Sequence, residues 1–239
     1  MRSRNKSAFP PSRALAIADR TRYCASMLKV DSLTRPPLGP VSFKLPAGAI
    51  GIVTGPSGSG KSLLARAIVD LDPNTGEVSW RGRARLKTPA PQWRRWIAYV
   101  PAETGWWADR IADHFPPDID AARLNDLLHA VNLPRDALSW PVSRASTGER
   151  QRLAFLRALI RDPEMMILDE PTSALDAETR KRVEDVILAE RRTGRTFLII
   201  THDPAQAARL GDIFWRMENG RLAPAPDAAS LVEIPREGA

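Results

Sequence analysis

Two periodicities alternate along the chain. From Met27 the pattern is strand-like: Leu28-Lys29-Val30 is β-prone, Val41-Ser42-Phe43-Lys44-Leu45 alternates apolar and polar positions, and Ala49-Ile50-Gly51-Ile52-Val53-Thr54 is short and apolar. Between the first two, Thr34-Arg35-Pro36-Pro37-Leu38-Gly39-Pro40 reads as a turn or loop. From Lys61 the period lengthens, and Leu63, Leu64, Ala67, Ile68 and Leu71 share one helical face. Asp72 to Gly76 predicts a turn, and Glu77-Val78-Ser79-Trp80, Arg81-Gly82 and Arg83-Ala84-Arg85-Leu86 predict a hairpin. A break at Pro89 to Pro91 precedes Trp93-Arg94-Arg95-Trp96 and the strand Ile97-Ala98-Tyr99-Val100, stopped by Pro101. Residues 103–160 are helix-rich, interrupted at Pro116-Pro117, Pro134 and Pro141, with a core stripe at Leu124, Leu127, Leu128 and Val131. Met165 to Leu168 and Thr196 to Ile200 are buried strands on either side of a helix over Glu178–Arg192. Ile213-Phe214-Trp215 and Glu218-Asn219-Gly220-Arg221 suggest a closing hairpin. Strands apolar on both faces suit a central parallel sheet covered by helices, an α/β architecture.

A length of 239 residues with 43% hydrophobic content allows one large α/β domain or two small ones with a full core. No apolar run reaches the 18 residues of a membrane span, so work at a membrane needs another chain to cross it. The single cysteine, Cys24, excludes an intramolecular disulfide and fits a reducing compartment. Most of the +7 net charge sits at the start, where Arg2, Arg4, Lys6, Arg13, Arg20 and Arg22 face only Asp19. Residues 1–26 therefore read as a basic, disordered extension, dispensable for folding, with a start at Met27 as the other reading. The remaining body is close to neutral, which argues against nucleic acid as a partner. Residues 27–223 form the expected domain, and 224–239 a loose, polar tail.

The chemistry is concentrated in a few stretches. Gly55-Pro56-Ser57-Gly58-Ser59-Gly60-Lys61-Ser62 lies between an apolar strand and a helix and fits G-x-x-x-x-G-K-[ST], the P-loop. Its glycines let backbone N–H groups converge on phosphate oxygens at a helix N-terminus. Lys61 would reach the β- and γ-phosphates, and the Ser62 hydroxyl would ligate Mg²⁺. Met165-Met166-Ile167-Leu168-Asp169-Glu170 is an apolar strand ending in two carboxylates, where ligands of open α/β sheets gather. Asp169 is placed to hold Mg²⁺ through water and Glu170 to polarise an attacking water. Ser146-Thr147-Gly148-Glu149 opens a helix; it reads as an S-x-x-E capping box, and a capped N-terminus is also an anion site.

The run from Ser146 to Arg152 resembles the signature motif of ATP-binding-cassette (ABC) ATPases, L-S-G-G-[QE]-[RK]-Q-R. Ser173-Ala174-Leu175-Asp176, after Asp169-Glu170-Pro171-Thr172, is similar to that family's D-loop, and Thr201-His202-Asp203 to its switch histidine. The motifs come in family order from residue 28 to about 222. The resemblance implies a P-loop NTPase core with a mostly parallel sheet, an N-terminal antiparallel β subdomain, and a helical signature subdomain over about 103–160. It implies two cassettes, identical or not, packed head to tail. Each ATP would lie between the P-loop of one and Ser146, Thr147, Gly148 and Glu149 of the other. Glu170 would activate water, and His202 would hold the γ-phosphate and that water. The subunit would sit on the cytoplasmic face of the inner membrane, ATP binding closing the dimer and hydrolysis driving a transmembrane permease subunit in a separate chain. The context around Ser173–Asp176 resembles metal-export subunits. A soluble cassette acting on DNA or ribosomes is the other class, but the segment between Ser62 and Ser146 has no sustained heptads and the chain carries one cassette.

Four departures from the family pattern stand out. Tyr99-Val100-Pro101-Ala102 has alanine where the family has a glutamine touching Mg²⁺, with Glu103 one position on; this favours a slow or regulatory cassette. The signature has Ala145 for leucine and Thr147 for glycine, and the adenine-stacking aromatic near 34–37 is replaced by Arg35 as candidate. Trp93, Trp96, Trp106 and Trp107 flank the altered loop, either as packing or, with Arg94 and Arg95, as the groove for a membrane subunit's coupling helix.

Overall fold

A computed structural model describes residues 27–228; the basic extension, Cys24 and the end of the tail lie outside the described residues. The first sheet is antiparallel. Strand β1 (Met27–Arg35) pairs with β2 (Leu38–Pro46), with Arg35 opposite Leu38. The loop expected over 34–40 thus shrinks to a turn at Pro36-Pro37, and Gly39 and Pro40 belong to a strand. Proline is tolerated there because β2 is an edge strand. On its other side β1 pairs with β4 (Thr75–Trp80), which turns through Arg81-Gly82, both at positive φ, into a two-residue β5 (Arg83–Ala84). The predicted hairpin forms but stops short. Arg85 turns inward, buried, and donates Nη1 to the Ala67 carbonyl at 2.6 Å.

The second sheet combines β3 (Ile50–Thr54), β6 (Ile97–Val100), β7 (Met165–Asp169), β8 (Thr196–Ile200) and β9 (Ile213–Glu218), all parallel, with β10 (Arg221–Ala225) antiparallel at one edge. The order is β10-β9-β3-β8-β7-β6. Alternate residues feed two cores. Ile50, Ile52, Met166, Leu168, Phe197 and Ile199 join the helical side, while Val53, Met165, Ile167, Leu198 and Ile200 join the antiparallel sheet. That two-faced burial is why these strands carry no polar alternation. The last strand runs to Ala225, so the segment set aside as a tail from 224 begins inside the sheet.

Among the described residues six α-helices surround the sheets: α1 (Lys61–Ile68), α2 (Ala90–Trp96), α3 (Ala121–Ala130), α4 (Thr147–Leu159), α5 (Ala177–Arg192) and α6 (Pro204–Leu210). Helix α1 ends earlier than its apolar stripe suggests. Asp70 takes a left-handed φ of 59°, Leu71 N–H bonds to Arg66 O at 3.0 Å and Asp70 N–H to Ala67 O at 3.3 Å, a Schellman stop. Leu71 therefore lies outside the helix and is 45% exposed, not core. The break at Pro89–Pro91 is the start of α2, with proline in the first turn where no N–H is needed. Helix α6, absent from the sequence reading, is capped by Asp203, which accepts from Ala205 N and Gln206 N. The stripe at Leu124, Leu127, Leu128 and Val131 is core, as expected.

Of the four tryptophans, Trp93 is packing: it is fully buried and its Nε1 donates to Ile68 O at 2.9 Å, closing the end of the P-loop helix. Trp93→Phe removes that donor and part of the ring. The expected cost is about 2 kcal/mol, read by thermal melting as a drop of about 4–8 °C. An unchanged melting temperature would remove Trp93 from the fold's supports.

Candidate functional site

The P-loop is built by backbone geometry that only glycine supplies. Gly55 has φ 143°, and a Cβ there would lie 2.0 Å from Met217 O. Gly60, at φ 106°, is the N-cap of α1 with no side-chain cap. The first intrahelical bond is Leu64 N–H to Gly60 O at 2.9 Å, so the N–H groups of Lys61, Ser62 and Leu63 have no acceptor within the helix. Three unclaimed donors at a positive dipole end form an anion cradle. Lys61 Nζ arches over the loop, donating to Gly55 O at 2.7 Å and Pro56 O at 2.8 Å. Burial holds its ammonium below the ordinary lysine range, and the charges of Glu170 and Asp169 oppose that shift. The two carboxylates predicted from the second strand motif thus act electrostatically on the P-loop lysine. The Ser59 hydroxyl, inside the same loop, is buried without a hydrogen-bond partner.

Asp169 ends β7 and is 4% exposed. The Tyr99 hydroxyl, at the neighbouring β6 position, donates to Asp169 Oδ2 at 3.1 Å. Burial first, then the Asp169 charge, pushes the Tyr99 phenol upward, so it stays a donor. Tyr99 lies 70 residues from Asp169 in the sequence, and only the fold brings the two together. Glu170 follows at a left-handed φ of 51°, which turns its side chain off the strand line. Its Oε2 meets His202 Nδ1 at 2.8 Å. His202 is 71% exposed and Glu170 20%, so the pair faces solvent from the carboxyl edge of the sheet. The Ser62 hydroxyl and the Asp169 carboxylate, the residues expected to hold Mg²⁺, are hard oxygens of the kind that ion uses when substrate phosphates complete its shell. Among the described residues no group of three or more His, Cys, Asp or Glu forms a protein-only metal cage.

The second cluster surrounds the N-terminus of α4. Ser146 is its N-cap, accepting from Glu149 N at 3.3 Å while its own N–H bonds to Glu149 Oε2 at 2.7 Å. The capping box is therefore real, and the bond from Ser146 N–H holds the Glu149 carboxyl below its usual range. Gly148 packs against the next loop, where a Cβ would stand 2.9 Å from Ala174 O and from a Leu175 methyl. Asp176 caps α5 by accepting from Thr179 N and Oγ1, both at 2.9 Å. Arg180 ties this loop to the segment after His202, bonding Asp203 Oδ2 at 2.9 Å and Leu175 O at 3.4 Å. Arg35, the candidate for stacking on adenine, has its Nε 3.1 Å from Asp72 Oδ2.

The altered loop opens onto a groove of ≈ 560 Å³ between β6 and α4, lined by Leu71, Arg94, Tyr99, Trp107, Arg157 and Arg161 among others. Ala102 and Glu103 are exposed. Trp107 is 71% exposed, and the Arg157 guanidinium lies 4.7 Å from the Trp106 ring and 4.9 Å from the Trp107 ring. Trp96 is half-buried under Arg83 at 4.3 Å. The four tryptophans therefore divide: Trp93 packs, while Trp107 presents a face to the groove.

Comparison with known proteins bears on this arrangement. The family model described as ABC transporter matches residues 38–173. The sulfate/thiosulfate import ATP-binding protein CysA of Mycobacterium tuberculosis is 32% identical over 240 residues, covering 93% of this chain and 64% of that protein. The chain thus spans under two thirds of the length of that relative. The Fe(3+) ions import ATP-binding protein FbpC of Pseudomonas fluorescens is 34% identical, covering 84% of this chain and 60% of that protein. An aliphatic sulfonates import ATP-binding protein of Mesorhizobium japonicum is 34% identical, covering 89% of this chain and 84% of that protein. In fold, a bacterial Atm1-family ABC exporter with ATP bound matches with a TM-score of 0.77 at 24% identity, over 86% of this chain and 40% of that chain. Among the described residues no helix is long and apolar enough to cross a membrane. With more than half its length matched by the family model and a relative above 30% identity covered nearly end to end, the chain belongs to the ABC transporter family and has the fold of its ATP-binding-cassette ATPases.

Proposed function

We propose that this chain binds and hydrolyses MgATP in a head-to-tail pair of cassettes and powers a transporter whose membrane-spanning part is a separate chain. The observation that carries the reading is the Glu170–His202 pair at 2.8 Å, with Glu170 and Asp169 both acting on Lys61 above the P-loop. ATP phosphates lie on the N–H groups of Gly58 to Ser62, with Lys61 moving from the loop carbonyls to the β- and γ-phosphates. The Ser62 hydroxyl and the Asp169 carboxylate would hold Mg²⁺, which would supply charge neutralisation on the phosphates. Ser146 and Gly148 of the opposite cassette contact the γ-phosphate. Glu170 orients and deprotonates the attacking water, and His202 holds that water and the γ-phosphate. Catalysis is then positioning and charge stabilisation.

The groove beside Trp107 suits a coupling segment of the permease, and this supports a cassette that works on the cytoplasmic face of the membrane. The cargo is set by that permease. Metal export is the assignment drawn from the context of Ser173–Asp176, whereas the relatives above carry import of sulfate, sulfonates or iron(3+) in their names, which favours the import direction. The purified chain, assayed for phosphate release and for mass with and without MgATP, tests the reading. A chain that neither pairs nor releases phosphate, alone or with a permease subunit, would overturn it.

The departure at Ala102 favours slow turnover, because alanine can neither ligate a cation nor orient water. Ala102→Gln is expected to raise the hydrolysis rate on the order of tenfold, about 1.4 kcal/mol of barrier. Glu103→Ala and the double variant separate a loop that has shifted to use Glu103 from one that lacks the contact. Should Glu103→Ala be harmless and Ala102→Gln bring no gain under any partner condition, this loop does not limit the enzyme.

A further inference from the structure

One buried polar side chain joins the two clusters. Gln151 sits in the second turn of α4, 4% exposed. Its Nε2 donates to the main-chain carbonyl of Glu170 at 2.5 Å and approaches Ser173 Oγ at 3.3 Å. Ser173 Oγ in turn donates to the same Glu170 carbonyl at 3.2 Å. The next residue, Arg152, points the other way, with Nη1 donating to Val131 O at 2.8 Å and Asn132 O at 2.5 Å at the end of α3. Helix α4 is thus fastened to the helical lobe by Arg152 and to the sheet's catalytic edge by Gln151.

What Gln151 holds is an unfavourable conformation. Glu170 is a non-glycine residue at φ 51°, a region that costs of order 1–3 kcal/mol unless its surroundings enforce it. Its N–H is fixed by Ile200 O at 2.9 Å, on the sheet side. Its carbonyl accepts from Gln151 on α4 at 2.5 Å and, more weakly, from the Ser173 N–H at 3.3 Å and hydroxyl at 3.2 Å in its own loop. The side chain that meets His202 therefore takes its direction from a residue held on both sides, the shortest bond to its carbonyl coming from the helix whose N-cap is Ser146. Farther along the same loop Thr172 is anchored separately, by Gln206 Nε2 at 2.6 Å. Gly148, one turn before Gln151, packs on Ala174 of that loop, so any shift of α4 is felt at both places.

We propose that Gln151 is a positioning residue that sets the Glu170 main chain and couples it to the Ser146 end of α4. Contact of an ATP γ-phosphate with one cassette's Ser146 is thereby relayed to that same cassette's own Glu170, so each nucleotide site licenses the other. This rests on the hydrolytic reading above. It goes beyond that reading by giving the glutamine a role in timing hydrolysis and none in touching ATP.

Gln151→Met keeps the volume and removes the donor. Expected results are a kcat for ATP about tenfold lower, an unchanged Kd for MgATP, and faster amide exchange confined to the peptide covering Glu170–Ser173. Gln151→Glu has no donor when ionised and regains one when protonated, so its kcat relative to the parent should rise as pH falls. A parental kcat with parental exchange at Glu170–Ser173 would overturn the proposal. So would a loss of melting temperature and ATP affinity in step with kcat, which marks a merely structural tie. A parent chain without ATPase activity would refute the hydrolytic reading instead, and the exchange at Glu170–Ser173 would still decide whether Gln151 sets that peptide.

Discussion

Lys61→Ala is expected to abolish ATP binding or hydrolysis. Lys61 is the cation that the P-loop sequence supplies for the phosphates, and it already sits over the loop, bonded to Gly55 O and Pro56 O. Charge-assisted bonds to phosphate are worth about 1.5–3 kcal/mol each. Two such bonds lost predict an affinity at least on the order of 100-fold weaker. A second effect adds to the first. Asp169 and Glu170 act on Lys61, and without its charge they face the phosphates of ATP uncompensated. The variant should keep its fold, because the bonds lost with Lys61 are to two loop carbonyls, one part-buried and one exposed, and not to the core. Nucleotide affinity by fluorescence titration, turnover by phosphate release and melting temperature are the three readouts. Unchanged affinity and turnover would refute the P-loop assignment, whereas a collapsed melting temperature would show that Lys61 mainly staples the loop.

What the sequence made legible was local. The P-loop, the carboxylates after Leu168 and the Ser146 cap are each written in contiguous residues, and the fold puts them where such spacings require. The parallel strands were readable because both faces are buried and no polar alternation competes with the run of apolar residues. The misreadings came where tertiary context decides. Pro40 reads as a loop until β2 proves to be an edge strand. Leu71 keeps helical spacing, yet Asp70 ends the helix one turn earlier by taking a left-handed φ. Arg35 gives no sign in one dimension of its ion pair with Asp72. Tyr99 and Gln151 fall inside motifs the sequence shows, but their roles do not, since their partners Asp169 and Glu170 lie 70 and 19 residues away.

Glu170→Gln carries the other large expected effect, and its geometry makes it a clean chemical test. The side chain keeps its size, and the amide can still meet His202 Nδ1, so the pair at 2.8 Å has a neutral counterpart. The main-chain bonds at Glu170, from its N–H to Ile200 O and to its carbonyl from Gln151, do not involve the side chain and remain. What is lost is the carboxylate's capacity to take a proton from water. General-base assistance is worth about 10²–10⁴ in rate, and hydrolysis should fall within that range. Binding should persist, because Lys61 and the N–H cradle are intact and one negative charge near the γ-phosphate has been removed. ATP binding that closes the pair, without the hydrolysis that reopens it, should accumulate an ATP-bound dimer. Mass measured by light scattering should therefore rise with MgATP in the variant and rise only transiently in the parent. If Glu170→Gln hydrolyses ATP at the parental rate, Glu170 is not the base, and the carboxylate that polarises the water must be sought elsewhere, with Glu103 in the altered loop the first to replace.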